Sequence, residues 1–148
     1  MCKNLIVPFT LLAFACLAWS APLRAETRSR AVLVGINEYQ APSVNGLNGT
    51  DADLIAMHTL LTQRFGFKSD DIVVLKDNAA TRKAILLAIT EHLAQPSDDD
   101  DIAVFYFSEH GSQVTDTNGD ELDGYDETLV ASDSRLNGTP DKIGRAHV

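Results

Sequence analysis

The residues Ser108-Glu109-His110-Gly111-Ser112-Gln113 follow directly on an apolar run and carry the densest chemistry of this 148-residue chain. Imidazole is the side chain that titrates nearest neutral pH. A His held at the end of a buried strand, beside a flexible Gly, is placed to take up and return a proton. His58 falls within a helical pattern and His92 near a helix C-terminus, where a cation is favoured, so both read as structural. Further on, Asp116 to Glu127 packs six acids into twelve residues, a density that repels itself unless it is solvated or neutralised by a cation. Asp116, Asn118, Asp120 and Glu127 take positions 1, 3, 5 and 12 of an EF-hand-type loop, but Glu121 stands at the position-6 Gly and no helical pattern flanks the run. Oxygen-rich calcium coordination by Asp116, Asp120, Asp123 and Asp126 is the expectation, with a solvated acidic loop as the alternative.

The elements that must position these residues alternate between short apolar runs and helical periodicity, the pattern of an α/β domain. Ala31 to Ile36 is a continuous apolar run suited to a strand buried on both faces. Asn37 to Gly49, with Pro42, Gly46 and Gly49, reads as a loop. Thr50 is placed as a helix N-cap with Asp53 three residues on, and Leu54, Met57, Leu60, Leu61 and Phe65 follow at helical spacing until Gly66. Ile72 to Leu75 makes a second strand. Thr81 caps a second helix, whose Ile85, Ile89 and Leu93 share a face before Pro96. Asp98 to Asp101 is expected to be a solvated turn and Ile102 to Phe107 a third buried strand, with an open sheet edge beyond it that exposes apolar surface and unpaired amides. With helices between strands the sheet is predicted to be mostly parallel, and the remainder a long polar loop. In open α/β sheets ligands bind beyond the carboxyl ends of the strands, which is where His110 falls.

Composition narrows the partners. Hydrophobic residues make up 45% and charged residues 22%, which fits a single globular core. From Glu26 to Asp141 there are 21 acids against 8 bases, a net charge of −13 with no basic cluster to follow a phosphate backbone, so nucleic acid is not an expected partner. Residues 1–25 read as a secretory signal peptide. Lys3 precedes an apolar run from Leu5 to Trp19, with Ala18 and Ser20 as the small residues before the cut and cleavage after Ala25 as the alternative. The run is shorter than the roughly 20 residues a membrane span requires. The mature protein is therefore expected to be exported, periplasmic or secreted. Cys2 and Cys16 are the only cysteines, and cleavage would remove both, leaving no disulfide and no thiol nucleophile. At the other end, residues 143–148 are the translation of ATC GGA AGA GCA CAC GTC, a common short-read sequencing adapter. Lys142 fits the same frame, so the native sequence is expected to stop at Asp141.

Tyr106-Phe107-Ser108-Glu109-His110-Gly111-Ser112-Gln113, followed by Asp120-Glu121-Leu122-Asp123-Gly124-Tyr125-Asp126-Glu127-Thr128-Leu129, resembles the histidine segment of bacterial metacaspases and related caspase-like cysteine peptidases of the C14 family. Ala31 to Asn37, Thr50-Asp51-Ala52 and the Phe65-Gly66-Phe67 turn match the same family in order, over about Arg30 to Asp141. The resemblance covers about the first half of a family catalytic domain. It implies a caspase-like fold, truncated here after the third strand, and a cysteine endopeptidase in which His110 is the imidazole of a Cys-His dyad and Gly111 an oxyanion donor. An adjacent imidazole favours the thiolate and later protonates the leaving amine. The nucleophilic Cys of the family lies at the end of the next strand, past Asp141.

The resemblance also implies a peptide or protein substrate with Arg or Lys at the cleavage site, with Asp51 and Ser108 in the pocket. Thr50 replaces the Asn usual before that Asp, and Asp51 could instead serve only the helix dipole. Calcium would be an activator, held partly by a later acidic segment, and the chemistry itself needs no cofactor. Glu109 stands where the family usually has Gly, and its carboxylate could turn inward or face solvent. A non-catalytic caspase-like or calcium-binding interaction module is the alternative reading.

Overall fold

The computed structural model describes residues 27–136. The expected signal peptide and the adapter-like tail lie outside them. Strand β1 (Ser29–Gly35) leads through a loop to helix α1 (Thr50–Arg64), then to β2 (Ile72–Lys76), α2 (Arg82–Ala88) and β3 (Ile102–Ser108). The three strands form a parallel sheet in the order β2-β1-β3, with Ala31 opposite Ile72 and Val104 in the two registers.

The apolar run of β1 is explained by its central place. Val32, Val34 and Ile36 point to one side and pack with Ile85 and Leu93 of the second helical segment, while Ala31 and Leu33 point to the other and pack with Leu54 and Leu61 of α1. All five β1-run side chains are fully buried. Gly35 belongs to the α1 face, and a Cβ there would come within 2.7 Å of a Leu54 methyl. Its lack of a side chain lets the helix approach the strand end.

Three local expectations are corrected, and a fourth, the open sheet edge at the third strand, is met. Gly49, with φ of 121°, occupies the N-cap of α1, and Thr50 is the first helical residue, because only Gly enters that backbone region at little cost. Leu60 and Phe65 are exposed, since the apolar stripe that meets the sheet runs through Leu54 and Leu61, with Met57 partly buried beside them. Asp101 is not solvated: its carboxylate accepts from the Arg28 N–H at 2.7 Å and pairs with Arg30 at 3.0 Å, both side chains nearly buried. Those contacts, the Arg28 amide first, hold its carboxyl below the usual range. Finally, β3 is an edge strand, with Ile102 50% and Phe105 37% exposed. Its second neighbour would have to come from outside the described residues.

Thr81 does cap the second helix, its Oγ1 accepting from the Ala84 N–H at 3.2 Å. The helix then widens into π geometry over Ile89–Ala94, keeping Leu93 on the core side. His92 closes it onto the Asp71 carbonyl at 2.8 Å, a structural role as expected.

After β3 the expected polar loop is instead an antiparallel hairpin, β4 (Gly111–Thr115) and β5 (Tyr125–Leu129), with Gly111 opposite Leu129. Alternating exposure along both strands shows why the run lacked an apolar signature: only one face is shielded, that of Ser112 and Val114 opposite Thr128 and Asp126, and three of those four residues are polar.

Leu33→Ala should lower stability by about 2–5 kcal/mol, as for other buried leucines, and Leu60→Ala by less than about 0.5 kcal/mol. Urea unfolding of the two variants, followed by circular dichroism, distinguishes the faces of the sheet and helix.

Candidate active site

The carboxyl ends of β1 and β3 meet where the Ile36 N–H donates to the Ser108 carbonyl. The loop that leaves β1 is tied down at its start. Asp77, held at a left-handed φ of 46°, accepts from the N–H groups of Asn37 and Glu38 at 2.8 and 3.1 Å. Asn37 in turn accepts from the Leu47 N–H on its carbonyl and from the Thr50 N–H on its side chain. The loop is thereby bent back over the end of β3.

His110 lies under that loop. Its Nε2 is 3.0 Å from the carbonyl oxygen of Asn45. A carbonyl only accepts, so Nε2 carries the hydrogen and, in the neutral ring, Nδ1 keeps its lone pair. The His110 backbone N–H donates to the Tyr39 hydroxyl at 3.3 Å, the two rings lie 5.5 Å apart, and the His110 carbonyl accepts from Val130. His110 and Gly111 line an open cavity of about 210 Å³ with Ser43, Asn45, Val130 and Arg135. Arg135 also reaches the Ser112 hydroxyl at 3.4 Å.

Glu109 turns inward, but not toward the imidazole. Its Oε2 accepts a short hydrogen bond from the Tyr39 hydroxyl. Burial pushes the carboxyl up to about 8, against the opposing effect of its hydrogen bonds, and burial also raises the Tyr39 phenol. The acid is thus mostly neutral near pH 7.

Asp51 and Ser108 have separate partners. Asp51 forms a half-exposed ion pair with Lys76 at the end of β2, at 2.8 Å, and this bond is the main cause of the raised Lys76 ammonium. Ser108 donates to Asp53 at 2.7 Å. The first turn of α1 therefore sends one carboxylate to each flanking strand of the sheet.

The hairpin carries the acidic run in its turn. Asp116 organises it, accepting from Asn118 and Gly119 on Oδ1 and from Glu121 on Oδ2. One carboxylate oxygen each from Asp116, Asp120 and Asp126 lies within 4.8 Å of the others, and Asp126 is fully buried. Asp123 is the correction: it caps the turn by accepting from the Tyr125 N–H at 3.1 Å and stays outside the cluster. An all-oxygen set of three carboxylates fits a hard divalent cation, and a fully buried carboxylate needs compensation of its charge.

Tyr39, Asn45, Lys76 and Arg135 have no part in the sequence analysis, and Asp53 enters it only as the acid that follows the expected cap at Thr50. Asn45 acts through a main-chain carbonyl, which no residue type signals. Asp53 had a signal, a second acid in the first helical turn, that a capping role had absorbed.

The family model described as metacaspase, peptidase C14 domain, matches residues 29–142. Metacaspase-1 of Schizosaccharomyces pombe is 36% identical over 116 residues, which cover 75% of this chain and 27% of that protein. Metacaspase-1B of Aspergillus fumigatus is 35% identical over 116 residues, covering 75% of this chain and 28% of that protein. Among solved structures, protein GSU0716 from Geobacter sulfurreducens is similar with a TM-score of 0.60 and 33% identity, over 74% of this chain and 41% of that one. The chain spans about a quarter of the length of these curated relatives. The match takes in the three-stranded sheet, the His110 loop and the acidic hairpin together, and the chain belongs to the metacaspase family of C14 peptidases.

Proposed function

We propose that this chain is the histidine-bearing part of a cysteine endopeptidase domain, cutting proteins or peptides after Arg or Lys. The observation that carries the reading is the fixed imidazole: Asn45 holds Nε2–H, so Nδ1 is the nitrogen left to exchange a proton with a thiol. In that role His110 takes the thiol proton as the sulfur attacks the scissile carbonyl, then returns it to the departing amine. The described residues contain no cysteine, so the thiol comes from sequence outside them.

Gly111 follows His110 at the exposed start of β4. A Cβ there would make only an ordinary 3.8 Å contact with the Thr128 carbonyl, so packing does not require glycine. Close approach of a substrate does give a reason for it, and an N–H donated to the tetrahedral oxyanion is the corresponding role. For the basic side chain, Asp51 and Ser108 are the proposed pocket residues. An incoming cation would exchange with Lys76 at Asp51, which is feasible because half-exposed ion pairs contribute little. Asp53, already against Ser108, adds a second carboxylate.

Calcium is the proposed activator, with Asp116, Asp120 and Asp126 as its carboxylates. Export follows from the N-terminal pattern, which lies outside the described residues. No helix among the described residues is long and apolar enough to cross a membrane.

Reading the genomic frame past Asp141 should replace residues 143–148 with codons leading through an apolar strand to a Cys. The enzyme encoded by that frame should cleave Arg and Lys amides, and His110→Ala should lower kcat by about 10²–10⁴-fold. The present chain alone should show no turnover. A frame without the Cys leaves the binding-module reading instead. For the hairpin, calorimetric titration with calcium should show saturable binding, in the 10⁻⁴–10⁻³ M range of extracellular modules, that Asp126→Asn abolishes. No heat at millimolar calcium would rule the ion out as a ligand of the hairpin.

A further inference from the structure

We propose that Tyr39 and Glu109 are positioning residues for His110, joining with Asn45 to clamp the histidine from one loop at two points, its main chain and its ring. The inference rests on the reading of His110 as the proton-transfer group.

The geometry is a relay. The His110 N–H donates to the Tyr39 oxygen, and the Tyr39 O–H donates to Glu109 Oε2. Tyr39 thus satisfies a main-chain donor at the site while its own hydroxyl is held in place by the residue before the histidine. The second arm is the Asn45 carbonyl on Nε2. Both arms come from the segment that Asp77 anchors at Asn37 and Glu38, so movement of the loop would disturb the main chain and the tautomer together.

Stability alone does not account for Glu109. Its Oε1 is buried without a hydrogen-bond partner, and burial of an incompletely satisfied carboxyl is unfavourable. An apolar side chain would cover the same surface at less cost. What a carboxyl provides is an acceptor that orients the phenol, and the phenol is the acceptor for His110.

Each group reports differently in a ¹⁵N-labelled sample of the full chain. At a pH where the ring is neutral, His110 should show the ¹⁵N shift pattern of the Nε2–H tautomer. Tyr39→Phe keeps the ring and removes only the oxygen; it should shift the His110 amide proton upfield and mix the tautomers. Glu109→Ala should do the same, whereas Glu109→Gln, which keeps an acceptor, should retain the wild-type pattern. Should Glu109→Ala fail to fold, Tyr39→Phe decides. Unchanged amide and tautomer signals in a folded Tyr39→Phe chain would overturn the proposal. If the clamp is seen but His110→Ala leaves turnover of the complete enzyme intact, the catalytic reading fails and the clamp stands only as structure.

A pH series adds a readout of the carboxyl itself. The unfolded chain ionises Glu109 near 4.5 and the folded chain near 8, so the folded state keeps the proton longer and stability falls as pH rises between those values. Glu109→Gln should remove that decline relative to wild type, and a decline that persists unchanged in the variant would show that Glu109 is not the neutral acid this clamp contains.

Discussion

Burial of β1 on both faces is the constraint on which the site depends. A strand with no solvent side needs a layer above and a layer below, and α1 and the α2 segment are those layers. Because each helix connects two parallel strands, the strands all end on one side. The loop after β1, the first turn of α1, Asp77 after β2 and the histidine after β3 converge there. Gly35 sets how closely α1 can sit, and so where Asp51 and Asp53 emerge.

Part of the excess of acid is employed in holding loops and turns. Asp77, Asp101, Asp116, Asp123 and Asp133 each accept main-chain N–H groups, at the loop after β1, the entry to β1 and β3, the two turns of the hairpin and the start of α2. Charge-assisted bonds of this kind are stronger than neutral ones and fix loops that have little apolar surface. The hairpin also brings Asp116, Asp120 and Asp126 together, with one carboxylate oxygen of each within 4.8 Å of the others, a separation at which like charges repel.

How much was legible from sequence follows from which physics each element uses. The strands of the parallel sheet and the cap at Thr81 announce themselves through apolar runs and a local side-chain bond. The hairpin did not, because its covered face holds Asp126 and Thr128, and an alternation of polar residues with polar residues has no visible period. His110 stood out through its position after a strand and its motif. Its partners did not, since one is a carbonyl, another lies some seventy residues away, and the inward turn of Glu109 is decided by a hydroxyl distant in sequence. The acidic cluster was visible as composition, and Asp123 was separated from it only by the turn it caps.

The pairing of β1 with β3 has a kinetic consequence. The contact between Arg28 and Asp101 closes a separation of 73 residues, whereas the hairpin closes only the stretch from Thr115 to Tyr125. Loop-closure entropy makes such distant pairings late and slow, and local ones early. The acidic hairpin can therefore form before the sheet does, while the imidazole acquires its clamp only when β3 docks beside β1. A nascent chain carrying His110 has, until that moment, neither the Tyr39 contact on its main chain nor the Asn45 contact on its ring, so the histidine is fixed in place after the hairpin beside it.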